Sequence, residues 1–174
     1  MKKNMKGQAA MEYLMTYGWA ILAIVIVIAA LIWLNPFGAP ELCLFQQQGL
    51  SCSEPPPQVY LDSSDGDHLK MNVRIENKLG KRIEIEYALC TDAQVTDVTK
   101  EDGNYYATPY AIPTGSSEDL LAIDCVNADG EPIPASLNQE FRGKLLVWYS
   151  YYDDIAEGIY HEAQANVISV VVQG

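Results

Sequence analysis

Cys43, Cys52, Cys90 and Cys125 are the side chains in this sequence best suited to bonding beyond the backbone. Three readings are open to these thiols, with disulfide cross-linking favoured over buried free thiols or metal ligation. Four cysteines allow three pairings. Cys43 and Cys52 bracket a short glycine-containing turn, so proximity favours joining them, which leaves Cys90 with Cys125. Zinc fits poorly, because eight residues separate the first two thiols and neither a C-x2–4-C partner nor a nearby histidine completes a set. His68 and His161 are the only histidines, and neither lies in an HExxH helix or beside a Gly-x-Ser-x-Gly turn. Asp62, Asp65 and Asp67 suggest calcium by type but not by spacing, since Val73 stands where the closing bidentate glutamate belongs. A solvated acidic turn is the reading there. No metal, cofactor or catalytic residue is assigned, and the chain is not read as an enzyme.

A second group of residues is polar in an apolar place. Lys2, Lys3 and Lys6 precede Gly7-Gln8, then comes Glu12-Tyr13, and from Leu14 to Leu34 there is no charged side chain. Twenty-one uncharged residues in a helix cover roughly 31 Å, about the hydrocarbon thickness of a bilayer. Asn35-Pro36 then stops the helix, because the residue before proline is pushed out of the α region. The apolar run exceeds the roughly 7–15 residues of a secretory signal core, and no small-x-small cleavage site follows Leu34. A carboxylate near hydrocarbon is costly and is kept where it finds a partner. No lysine or arginine lies between Glu12 and Lys70, so the helix offers Glu12 none on its C-terminal side.

Lys6-Gly7-Gln8, followed by Glu12-Tyr13-Leu14 and a long apolar helix, resembles the class III signal peptide of archaeal type IV pilins. The resemblance covers about 30 of the 174 residues. It implies that a prepilin peptidase cuts between Gly7 and Gln8 on the cytoplasmic side and leaves the apolar helix in the mature subunit. It also implies that Glu12, with Tyr13, serves assembly by meeting the new amino group of Gln8 in the same or an adjacent subunit. Archaellins share the leader type but usually lack the Glu-Tyr pair.

The elements that would carry these residues follow in order. Residues 1–7 are a cleaved basic leader, 8–35 a membrane or filament-core helix, 36–40 a hinge, and 41–174 a head domain large enough for one core. Strands are expected at 59–61, 69–76 and 82–90, the last two as a hairpin, with Ile83, Ile85, Tyr87 and Leu89 alternating on one face. Short strands are expected near 95–98 and 105–112, then at 116–125, and a closing hairpin from 141–152 and 159–172. Residues 128–138 read as a loop. The fold class is α+β: a long N-terminal hydrophobic helix followed by an all-β, Ig-like sandwich head.

Net charge is −12, and losing Lys2, Lys3 and Lys6 would lower it to −15. So acidic a chain, with its basic residues scattered, is a poor partner for nucleic acid. Eleven tyrosines, among them Tyr105-Tyr106 and Tyr151-Tyr152, are open to three roles: core, subunit contact or adhesive surface. The expected function is a structural subunit of a type IV pilus-like surface filament serving adhesion. It would be held in the membrane before assembly and extracellular afterwards. The expected partners are further copies in a helical array, the prepilin peptidase and a pilus assembly platform. The alternative is a membrane-anchored extracellular binding domain outside any filament.

Overall fold

A computed structural model describes residues 5–34, 41–66, 68–154 and 159–174, with side chains from Met11 onward except at Leu14, Thr16, Leu34 and Asp65. The hinge expected at 36–40 lies outside the described residues. The chain divides into two units, Met1–Gly38 and Ala39–Gly174.

The first unit holds α1 (Met5–Leu34). The helix begins before Gly7, so the expected boundary between residues 7 and 8 is not a break in secondary structure. The reason is local: nothing between Met5 and Gln8 is a proline or a cap that would stop a helix. Ile24-Val25-Ile26-Val27-Ile28 is a run of β-branched residues that loses side-chain freedom in a helix and that water would favour as a strand. An apolar solvent reverses the preference. There the backbone must satisfy its own hydrogen bonds, and an isolated segment can do that only as a helix.

The second unit is mostly β: β1 (Leu42–Phe45), β2 (Leu50–Cys52), β3 (Gln58–Asp62), β4 (His68–Asn77), β5 (Ile83–Thr91), β6 (Asn104–Ile112), β7 (Ser117–Val126), β8 (Glu140–Tyr151), β9 (His161–Val170) and β10 (Val172–Gln173). Hydrogen bonds run without interruption along β1-β9-β8-β5-β7-β4-β3-β10, with β2 added to β4 and β6 to β5. The sheet curls. Among the described strands, the hydrogen-bonded ladder passes from one half to the other where β5 and β7 run parallel for two register pairs, Cys90 with Cys125 and Thr91 with Val126. One core cluster takes side chains from both halves, including Met71, Val73 and Ile75 from β4 and Leu145 and Val147 from β8.

The expected hairpin of 69–76 with 82–90 is corrected: β4 and β5 are not neighbours, because β7 lies between them. Asn77 explains the turn. Its side chain is fully buried, donating to the Lys81 carbonyl at 2.9 Å and the Ile112 carbonyl at 2.8 Å and accepting from the Leu79 amide at 2.9 Å. These bonds close a corner that carries the chain from one half of the sheet to the other. Gly49 adopts φ +103 beneath it, where a β-carbon would collide with the Leu79 side chain.

The alternation expected across 82–90 also breaks. Ile85 pairs with Tyr149 and Tyr87 with Trp148, so Glu86 is an extra residue, a β-bulge. The bulge turns Tyr87 and Leu89 to the outer face, against Trp148 and Leu146, and sends Ala88 and Cys90 into the main core. The strand expected near 95–98 is replaced by 3₁₀ turns at Val95–Asp97 and Lys100–Asp102. Thr99 and Asp102 cap the second reciprocally, which favours a turn over extension. The single strand expected at 159–172 divides at Val171, whose amide donates to the Gln139 carbonyl and whose carbonyl accepts from the Asn138 amide. Beyond that point β10 joins β3, in parallel. The turn expected between Cys43 and Cys52 contains β1 and β2, too short to show alternation. The closing pair β8 and β9 is antiparallel, and β7 occupies the stretch expected for it.

Candidate functional site

The strongest candidate is α1 itself, because its described side chains have no cover. Met11–Trp33 is long and apolar enough to cross a membrane, and its described side chains are all exposed. Twenty-three residues rise about 34 Å. The apolar character runs round the whole circumference, as a helix surrounded by apolar material on all sides requires. Aromatic residues sit near both ends, Tyr13, Tyr17 and Trp19 toward the start and Trp33 at the finish, with Trp33 86 % exposed. Tyrosine and tryptophan favour the two membrane–water interfaces, where an apolar ring meets a polar tip.

Of the residues assigned to cleavage and assembly, Gly7 and Gln8 lie on the helical backbone of the first turns, with their side chains outside the description. Glu12 is exposed on the same helix. Tyr13 packs on Tyr17, ring centroids 4.6 Å apart, which is the i, i+4 neighbour relation of a helix.

In the head, Cys43 is bonded to Cys52 and Cys90 to Cys125. The second bond sits at the meeting of the two halves with both residues buried, and the first joins β1 of one half to β2 of the other. Such bonds persist in oxidising compartments outside the cytosol.

The titratable groups of the head pair with one another. Lys70 on β4 lies 2.8 Å from Asp62 and 3.9 Å from Asp124. The Lys70 ammonium and the Ser64 donors hold the Asp62 carboxyl down at about 2. Arg74 grips both oxygens of Asp119 at 2.6 Å, lowering that carboxyl as well. His161 stacks on Tyr151 and Tyr149, with Asp154 at 3.7 Å, and His68 begins β4 and bridges to Pro134. Among the described residues no group of three or more His, Cys, Asp or Glu is placed to hold a metal.

The tyrosines divide by place. Tyr149 faces the main core, and its hydroxyl is pushed up to about 12, chiefly by burial. Tyr87, Tyr105 and Tyr160 cluster on the outer face, with the Lys100 ammonium 4.4 Å from the Tyr160 ring and 5.2 Å from that of Tyr87. Tyr160 donates to Glu86 at 2.8 Å, and that carboxylate pushes its hydroxyl up to about 12. Sequence reasoning missed the part played by Glu86, Lys100 and Asn77. The one available signal was Ile-Glu-Ile-Glu-Tyr at 83–87, where two charged residues flank the position at which alternation fails.

Compared with known proteins, the chain matches no family model and no curated sequence.

Proposed function

We propose that the chain is a structural subunit of a surface filament built in the manner of archaeal type IV pilins. Its helix would rest first in the membrane and then pack beside the helices of other copies, with the β head outside. The observation that carries this reading is the apolar helix Met11–Trp33, whose described side chains are all exposed, on a chain whose other unit has a core of its own. A helix of that kind needs an apolar surrounding, and both lipid and a bundle of like helices supply one. The leader pattern Lys6-Gly7-Gln8 and the following Glu12-Tyr13 support a filament over a plain anchor, which has no use for them. Subunits packed head to tail without closure make a helical fibre. The curled sheet, with one core fed from both halves, supports the finer reading of an Ig-like sandwich.

Glu12 would pair with the amino group that cleavage creates at Gln8, because an unpaired charge in an apolar setting costs several kcal/mol. The test is electron microscopy of material sheared from cells, with N-terminal analysis of what is recovered. Filaments made of chains starting at Gln8 are expected, and Glu12→Gln should preserve cleavage and membrane insertion while lowering filament yield. A processed chain that stays in the membrane fraction and forms no fibre would overturn the reading in favour of an anchored binding domain.

A further inference from the structure

We propose that the Cys43–Cys52 disulfide is a tether clamp, fixing the length of chain that can extend between the apolar helix and the head. Only covalent continuity and the geometry of the head enter here, so the proposal holds whatever the helix packs against.

The chain leaves α1 at Leu34 and meets the first strand of the head at Leu42. That strand, β1, has four residues and pairs with β9 alone. Leu44 is exposed and its neighbours are half-buried. Cys43 and Phe45 pack only at the margin of the main core, and a four-residue edge element of this kind opens at a lower free-energy cost than the whole head. Were β1 held by strand pairing alone, its release would free the chain up to Leu50, where β2 engages β4. The tether would then grow by about eight residues, or roughly 27 Å when extended.

The cross-link forbids this. Cys43 is bonded to Cys52, and Cys52 is paired with Ile75 in the opposite half of the sheet. With β1 undocked, the free segment still ends at residue 42, and the slack in 44–51 stays behind the bond. Cys90–Cys125 cannot act this way, since it joins register neighbours inside the core. Placement separates the two further. Cys43 and Cys52 line an open cleft with Glu41, Leu42, Ser53 and Pro57, so their bond lies where solvent reaches it.

The test compares hydrogen exchange in the full-length chain, held in detergent, with that of the Cys43→Ser/Cys52→Ser variant. Amides of 42–45 are expected to exchange roughly tenfold to a hundredfold faster in the variant, the range that closure of a nine-residue loop implies. Amides of 145–149 in β8 should be unchanged. A protease nick within 46–49 should leave the wild-type head attached to the helix until reductant is added, and should release it from the variant without reductant. Protection of 42–45 within about twofold of wild type, or a nicked variant that stays joined, overturns the clamp, because β1 would then hold by pairing alone. If the variant misfolds, mild neutral phosphine acting on the wild-type chain decides the matter: Cys90–Cys125 is sealed, so loosening confined to 42–45 supports the clamp and its absence overturns it.

Discussion

The helix and the head are built from the same apolar residue types and treat them in opposite ways. In the head, Ile, Val and Leu alternate with polar residues along strands, and the curled sheet encloses its own inward faces, leaving Met71, Ile75, Ile85 and Leu145 without solvent exposure. In α1 the same types occur without alternation, and Trp19, Ile24, Ile28 and Trp33 all remain at least half exposed. Period decides the outcome. A segment with one apolar face can finish folding within its own chain, whereas one apolar on all sides has to be finished by its surroundings. The head should therefore answer to mutations as an ordinary folded domain, and the helix only to the medium or partners around it.

The largest effect expected from that contrast is in the core. Leu145→Ala removes a fully buried side chain from the strand that pairs with both β5 and β9, and should cost about 2–5 kcal/mol of head stability. Thermal unfolding of the full-length chain in detergent measures it. Membrane partition of the same variant should equal that of wild type. If partition falls as well, the two units are coupled and the contrast fails.

The converse substitution is Ile26→Lys, near the middle of the apolar span. A lysine there opposes insertion by about 2.5–3.5 kcal/mol. Its carbonate-resistant membrane fraction should fall steeply, while the head melts within about 1 °C of wild type, since no described helix residue belongs to the head's core. A large drop in melting temperature would show that the helix supports the head.

What could be read from the sequence follows the same division. The apolar span of the helix was legible because its signal is long, and twenty-one uncharged residues have few alternative readings, whereas its start at Met5, ahead of the expected residue 8, was not. The strands with strict alternation, such as Met71, Val73 and Ile75, were legible one by one. Their neighbours were not. Whether β4 turns back onto β5 or crosses to the other half depends on three hydrogen bonds of the buried Asn77 side chain, two donated to the carbonyls of Lys81 and Ile112 and one accepted from the Leu79 amide. An asparagine after a strand reads as an ordinary turn residue, and Ile112 is too distant in sequence to be assigned as its partner. The bulge at Glu86 was hidden for a related reason. Ile83, Ile85, Tyr87 and Leu89 are all apolar, so a pattern of period two cannot show that the last two changed face. The cysteines narrowed the possibilities most, because proximity and elimination leave a single favoured pairing, whereas the tyrosines carry a type without a place.

The smallest expected effect lies on the outer face of the β4 half, where ion pairs take the place that a second apolar layer holds on β8. Asp62 is the sharpest case. The Lys70 ammonium and the Ser64 donors lower its carboxyl to about 2, against about 3.9 for an aspartate in the unfolded chain. A depressed carboxyl contributes stability that is fully present above the unfolded value and is lost as pH falls through the folded one. The head should therefore keep its melting temperature down to about pH 4 and lose part of it between about pH 4 and pH 2. Asp119 and Glu76, lowered by Arg74 and Lys78, add to the loss in the same direction. Asp62→Asn removes one titrating group, so its melting temperature should lie slightly below wild type at pH 7, fall less steeply over that window and converge on wild type by about pH 2.5. Melting curves at pH 7, 4 and 2.5 check this. Parallel losses in the two proteins would mean that the outer face holds its shape through packing alone, and the two faces of the head would then differ in composition without differing in what stabilises them.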